Sequence, residues 1–220
     1  YKAIGEFSPS YLFFSDITSK IKKTLGDIKI LIILRNPVHK AYSQYMHLVR
    51  DKRENLSFHE ALQHENIRIK NGWSDIWWYA SSSLYADNVK RYIDEFGKSN
   101  VKIILFDDFL NNTDKTLKEI FEFLNISSNI TINTNKIYNR SGQSKSSLIA
   151  NFFSKSNIFK SFVKLFIPEK IRIPLRLFIL DLNTGKKRRI DKDSEIFLKN
   201  FFQEDIHKLE KIINKKTNWI

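Results

Sequence analysis

KILIILRNPVHKAYSQY, residues 29–45, is the stretch on which the reading of this chain turns. Residues 30–34 are all aliphatic or β-branched, and a charge and then Pro37 bound the run, so it reads as a short buried strand. Asn36 is a good helix N-cap and Pro37 suits the first helical position, so a helix starts at once. A strand that hands over to a helix in two residues sets Arg35 at the C-terminal edge of a sheet. Open α/β sheets bind ligands at that edge, and the N–H groups opening the next helix favour anions. Arg35 carries a fixed charge on a fork that suits phosphate. Ser43 lies eight residues on, about two turns up the same helix.

Working outward, residues 1–12 read as a strand edge and then a turn at Ser8-Pro9, and residues 16–25 as a helix stopped by Gly26. The helix from Pro37 is expected to reach about residue 51 and to bury Ala41, Tyr45 and Leu48. A second helix begins where Ser57 and Glu60 form a capping box, with Phe58, Ala61 and Leu62 as its apolar face. Residues 71–83, NGWSDIWWYASSS, crowd three Trp and a Tyr into a stretch without helical period. That reads as a loop lining or covering a pocket. Residues 84–96 form an amphipathic helix stopped by Gly97. VKIILF, residues 101–106, is a second short strand, followed by Asp107-Asp108 and a helix over 113–124. Two strands each followed by a helix imply an α/β protein with a parallel sheet. Residues 125–147 are a polar loop around Asn139-Arg140-Ser141-Gly142. Basic amphipathic helices follow over 148–154, 158–166 and 169–180, then KKRR at 186–189 and a closing helix over 194–214.

Composition narrows the partners. Hydrophobic residues make up 42% of the 220, with 18 Phe, enough for a packed core. A net charge of +13 calls for an anionic partner: a nucleotide, a nucleic acid, an acidic glycan or a membrane surface. The chain has no Cys, which excludes disulfides, thiol nucleophiles and thiolate-bound metals. No apolar run reaches the roughly 18 residues of a membrane span. The five His include no helical-face pair, since His59 and His64 are five apart, so no metal is expected. The only Met is Met46, so the chain is expected to open inside its domain, with further residues ahead of Tyr1.

Taken together, these residues resemble the sulfotransferases that use 3′-phosphoadenosine-5′-phosphosulfate (PAPS), most closely the bacterial members. The pattern GExSPxYL matches residues 5–12, LRxPxxxAYSxY matches 34–45, and a paired Arg/Glu run ahead of sFxeAL matches 49–62. Further matches are Y-A-D…RY…FG…V…LF-D-D over 85–108, IFxFL over 120–124, NxSGxxxS over 139–146 and a C-terminal eDi..L…W pattern over 202–219. The resemblance implies a P-loop NTPase-like three-layer α/β fold in one domain over 1–220, with residues 148–220 as its helical C-terminal extension. It implies that Arg35 and Ser43 hold the 3′-phosphate of PAPS, and that a loop bearing Arg140, Ser141 and Lys145 closes over it. Adenosine 3′,5′-bisphosphate would be the product and no metal would be needed. The acceptor would be a hydroxyl or amine of a glycan, a lipid or a small metabolite, lined by Trp73, Trp77, Tyr79 and Tyr85. No nucleic acid is expected, and the setting is the cytoplasm, with contact to a membrane or other acidic surface through the basic segments.

Two departures accompany the resemblance. The family's other phosphate loop, rich in Gly, Lys or Arg and Ser/Thr, has no counterpart here and is expected ahead of Tyr1, together with the main catalytic base. The bare chain is accordingly expected to transfer little. Some animal relatives carry a Lys near the transferred sulfur at the position of Phe7. Glu6 reads either as an active-site carboxylate or as a local cap at the Ser8-Pro9 turn. The aromatic stretch reads either as core or as a stacking surface. Two other classes compete: a P-loop-type nucleotide or sugar kinase holding Mg²⁺ at Asp107-Asp108, and a non-enzymatic basic module for acidic polymers.

Overall fold

The computed structural model describes residues 4–127, 132, 168–182, 185 and 189–220. The expected helices at 148–154 and 158–166, the loop bearing Arg140, Ser141 and Lys145, and most of the KKRR run lie outside the described residues. Strand β1 (Ile30–Leu34) pairs in parallel with β2 (Val101–Leu105), Ile30 facing Val101 and Leu34 facing Leu105. Paired residues share a face of the sheet. Ile32, Leu34, Val101 and Leu105 enter the main core.

The opposite face is only partly covered. Helix α6 (Thr113–Leu124) serves β2: Lys102 reaches Glu119 at 3.5 Å, and Ile104 and Ile120 are both buried outside the main core cluster. On β1 that face stays open, with Leu31 36% and Ile33 48% exposed. The expectation of a buried first strand therefore holds for one face, with Ile32 and Leu34, and is corrected for the other. Its all-apolar run alternates between the core and a face left partly exposed.

Helix α1 (Ile17–Leu25) precedes the sheet and is held to the later helix over residues 86–96 by Arg91, which donates to Thr18 Oγ1 (3.2 Å) and the Leu12 carbonyl (3.1 Å). Ahead of it, residues 4–8 have no regular structure and Pro9–Leu12 form a 3₁₀ turn, rather than the expected strand edge. Helix α2 (Pro37–Arg50) buries Val38, Ala41, Tyr42, Met46 and Leu48, while Tyr45 sits at the margin and donates to the Leu56 carbonyl at 3.0 Å. Helix α3 (Phe58–Lys70) opens on the capping box read in the sequence, with both reciprocal bonds formed between Ser57 and Glu60.

Helix α4 (Ala86–Phe96) ends at Gly97, whose φ of +80° is the left-handed stop that glycine favours. Its start is capped from elsewhere, as Asp205 accepts the amides of Tyr85 (2.8 Å) and Ala86 (3.0 Å). A short α5 (Phe106–Asn111) follows β2 and absorbs Asp107 and Asp108. Helix α7 is Glu169–Leu182. Helix α8 (Lys192–Ile213) packs on α4, α2 and α3, burying Leu198, Phe202, Ile206 and Leu209 and leaving Phe197 and Phe201 exposed.

Candidate functional site

The corner between β1 and α2 is where the chemistry gathers. The guanidinium of Arg35 lies 5.6 Å from the ring centroid of Phe106 and makes no hydrogen bond or ion pair among the described residues. The Ser43 hydroxyl likewise has no partner among them, and sits roughly 9 Å up the helix axis from Pro37. The amides at the start of α2 behave differently from the expectation. Asn36 Oδ1 accepts from Val38 (3.0 Å) and His39 (3.3 Å), the Asn36 carbonyl accepts from Lys40 (2.9 Å), and Pro37 has no N–H. The first-turn donors are taken by the protein itself, so an anion here depends on the side chains of Arg35 and Ser43.

Residues 214–220 back this corner. The carbonyl of Trp219 accepts from the Asn36 side-chain amide at 3.1 Å. Its indole N–H donates to Asp107 at 3.1 Å, and its ring meets that of Tyr85 at 6.1 Å between centroids. Tyr85 in turn donates its hydroxyl to the carbonyl of Arg35 at 2.9 Å. Burial pushes the Tyr85 phenol up, so it stays a donor. Glu210 ties the segment back to α8 by accepting from the Thr217 amide (2.8 Å) and hydroxyl (2.9 Å) and pairing with Lys216 (2.8 Å). Lys216, and then Thr217, hold the Glu210 carboxyl down to about 2. Asp108 pairs with Lys215 at 2.5 Å. Both carboxylates after β2, which the kinase reading would offer to Mg²⁺, therefore have protein partners. No group of three His, Cys, Asp or Glu among the described residues is arranged to hold a metal.

The aromatic stretch lies along α2 as two 3₁₀ turns, Asp75–Trp77 and Ser81–Ser83, and is tied down by polar groups from three elements. Gln44 donates to the carbonyls of Asp75 and Ile76 (both 3.1 Å). Lys40 donates to the Ser82 carbonyl (2.7 Å) and to the hydroxyls of Ser82 (3.0 Å) and Ser83 (3.1 Å). Burial pulls the Lys40 amine down to about 8. Glu65 accepts from the amides of Ala80 (2.8 Å) and Ser81 (2.7 Å). Tyr79 donates to Glu54 at 2.6 Å, and Glu54 holds Arg68 through two bonds of 2.6 and 3.0 Å.

These contacts change the expected acceptor lining. Tyr79 is 0% and Tyr85 2% exposed, so both are core residues with committed hydroxyls rather than walls of a pocket. Trp73 is 43% exposed and meets Trp77 edge-on at 5.2 Å. The guanidinium of Arg53, beyond the far end of α2, lies 4.7 Å from the ring of Trp77. Trp73 and Trp77 are thus at the opposite end of α2 from Arg35 and are not gathered with it. Glu6 lies exposed and accepts from the Tyr11 hydroxyl at 2.5 Å. The residues that sequence reasoning missed are Asn36 as an anchor, Asp107 as an acceptor and Trp219 as their common partner. The closing Trp of the C-terminal pattern was the available signal.

With this geometry in place, the model of the sulfotransferase family matches residues 6–129, more than half of the chain. The chain belongs to the sulfotransferase family. A crystal structure of a sulfotransferase from Alicyclobacillus acidocaldarius is similar to this sulfotransferase-family chain at 30% identity and a TM-score of 0.71, over 99% of this chain and 68% of the other. The fold is accordingly the P-loop-like α/β fold, built here around a parallel strand pair. Among curated proteins, heparan sulfate glucosamine 3-O-sulfotransferase 5 of Mus musculus is 24% identical over 126 residues, and that of Homo sapiens 23%. The match takes in 55% of this chain and spans 35% of the length of those two relatives. No helix among the described residues is long and apolar enough to cross a membrane.

Proposed function

We propose that this protein is a PAPS-dependent sulfotransferase, moving a sulfuryl group to a hydroxyl or amine, and that Arg35 and Ser43 hold the 3′-phosphate of the nucleotide. The observation that carries this reading is Arg35, a guanidinium at a strand end with no carboxylate partner among the described residues, in a family member. The nucleotide, when bound, supplies the sulfuryl group and leaves as adenosine 3′,5′-bisphosphate. The fork of Arg35 suits two oxygens of a phosphate monoester, and the Ser43 hydroxyl suits a third. Arg140, Ser141 and Lys145 are proposed to add to the same phosphate, and Glu6 to act on the acceptor side. Catalysis then rests on positioning and on neutralising charge at the leaving group.

A sugar hydroxyl is the acceptor class that the named relatives favour, since both act by name on the glucosamine of heparan sulfate. The net charge of +13 agrees with an acidic glycan, and with contact to an acidic surface from the cytoplasm. Trp73 and Trp77 remain the aromatic surface on which a sugar ring would stack, reached from the far end of α2. Calorimetric titration with adenosine 3′,5′-bisphosphate tests the site. Arg35→Ala and Ser43→Ala are each expected to weaken binding, and unchanged affinity in both overturns the assignment.

A further inference from the structure

The segment after α8 carries more than packing. Asn214 and Asn218 adopt left-handed backbone (φ +51° and +55°), a conformation Asn tolerates well, and the chain turns at each of them. The first turn ends α8, and the second directly precedes Trp219. The two lysines between them are paired, Lys215 with Asp108 and Lys216 with Glu210, so the segment brings little free charge. What it brings is one residue with contacts on three sides of the corner. Trp219 accepts from Asn36, donates to Asp107 and packs on Tyr85, and Tyr85 holds the carbonyl of Arg35. Asn36 has two tasks at once: its oxygen caps α2 and its amide points to Trp219. The Trp219 carbonyl therefore fixes which way the Asn36 amide faces, and with it the start of the helix that carries Ser43. Trp219 is 5% exposed, so these contacts are enclosed and held.

We infer that Trp219 is a positioning residue of the phosphate corner, setting the preference of the site for a nucleotide bearing a 3′-phosphate. The inference rests on the reading of Arg35 and Ser43 as ligands of that phosphate. Trp219 is placed to act through its protein neighbours. Its indole, bonded to Asp107 and packed on Tyr85, keeps in place the Trp219 carbonyl that holds Asn36, and through Tyr85 and Asn36 the backbone from which Arg35 projects. Loss of the indole would let the corner relax, and a bidentate contact is sensitive to such shifts.

The measured quantity is the ratio of two dissociation constants, for adenosine 5′-phosphate and for adenosine 3′,5′-bisphosphate, by calorimetry on the same protein. The unmodified protein is expected to prefer the bisphosphate, and Arg35→Ala to abolish the preference. Trp219→Ala is expected to reduce the ratio about tenfold, in keeping with loss of a charge-assisted contact. Trp219→Phe keeps a ring against Tyr85 but loses the indole N–H; it is expected to fold, and to reduce the ratio about threefold. Phe197→Ala, exposed on α8, is expected to leave the ratio unchanged.

The outcomes separate. If Arg35→Ala keeps the preference, or the unmodified protein has none, the reading of the phosphate site fails and the inference falls with it. If Arg35→Ala loses the preference while Trp219→Phe keeps it in full, the inference alone fails. A fall in thermal stability at an unchanged ratio for either Trp219 variant also overturns it, because a merely structural residue would behave that way.

Discussion

Two arginines, Arg35 and Arg68, both lie against aromatic rings, 5.6 Å from Phe106 and 5.1 Å from Trp73. Arg68 is enclosed, held by Glu54 through two hydrogen bonds, with Tyr79 donating to the same carboxylate. Burial opposes the charge on both partners, and their mutual hydrogen bonds outweigh it: the Glu54 carboxyl is lowered and the Arg68 guanidinium raised. Arg35 has a ring and, among the described residues, no carboxylate. On the function proposed above, the difference separates structure from function: the protein neutralises the charge of Arg68 itself, whereas the charge of Arg35 is left for the nucleotide phosphate.

The contrast breaks most visibly at Arg68. Arg68→Ala leaves Glu54 buried without its partner, and is expected to cost about 3–5 kcal/mol in urea unfolding while the folded fraction keeps its nucleotide affinity. Arg35→Ala is the mirror image. It is expected to change stability by no more than about 0.5 kcal/mol and to weaken adenosine 3′,5′-bisphosphate binding about a hundredfold, two charge-assisted bonds being lost. Equal stability losses in the two variants would erase the distinction. Ser43→Ala sharpens it further, with an expected loss of about fivefold in the same titration, the range of one hydrogen bond.

A further prediction concerns pH. Burial holds the Lys40 amine down at about 8, below the 10.5 usual for a lysine. Between these values the unfolded chain binds more protons than the folded one, so the Lys40 contribution makes stability rise as pH goes from 8 towards 10.5. Glu65 on α3 and Asp75 in the aromatic stretch face the amine and oppose the downward shift. Lys40→Met is expected to flatten that rise in urea midpoints measured across the window. A steeper rise in the variant would contradict the burial argument.

Much of this was legible in local sequence. The strand ending at Leu34, the helix starting at Pro37, the capping box at Ser57 and the helix Thr113–Leu124 are set by neighbours a few residues apart, and periodicity and capping rules reach that far. Arg35 and Ser43 could be singled out for the same reason. The errors came from partners at long range. Tyr79 and Tyr85 were read as pocket walls because nothing near them announces Glu54, 25 residues away, or the Arg35 carbonyl, 50 away. The N-cap at Asn36 was legible. That its side chain would take up the amides expected to bind an anion follows only from the folded geometry. Trp219 stands 183 residues from Asn36, beyond any local rule.

The cap that α8 lends to α4 bears on the order of assembly. The amides of Tyr85 and Ala86 find their acceptor in Asp205, 120 residues later in the chain, and α4 has no capping side chain of its own. Until α8 docks, the first amides of α4 lack this acceptor, and the first turn frays. The deuterium uptake of those two amides is therefore a clock for the docking of α8. They should exchange together with the amides of Phe202 and Ile206, and not with the remainder of α4.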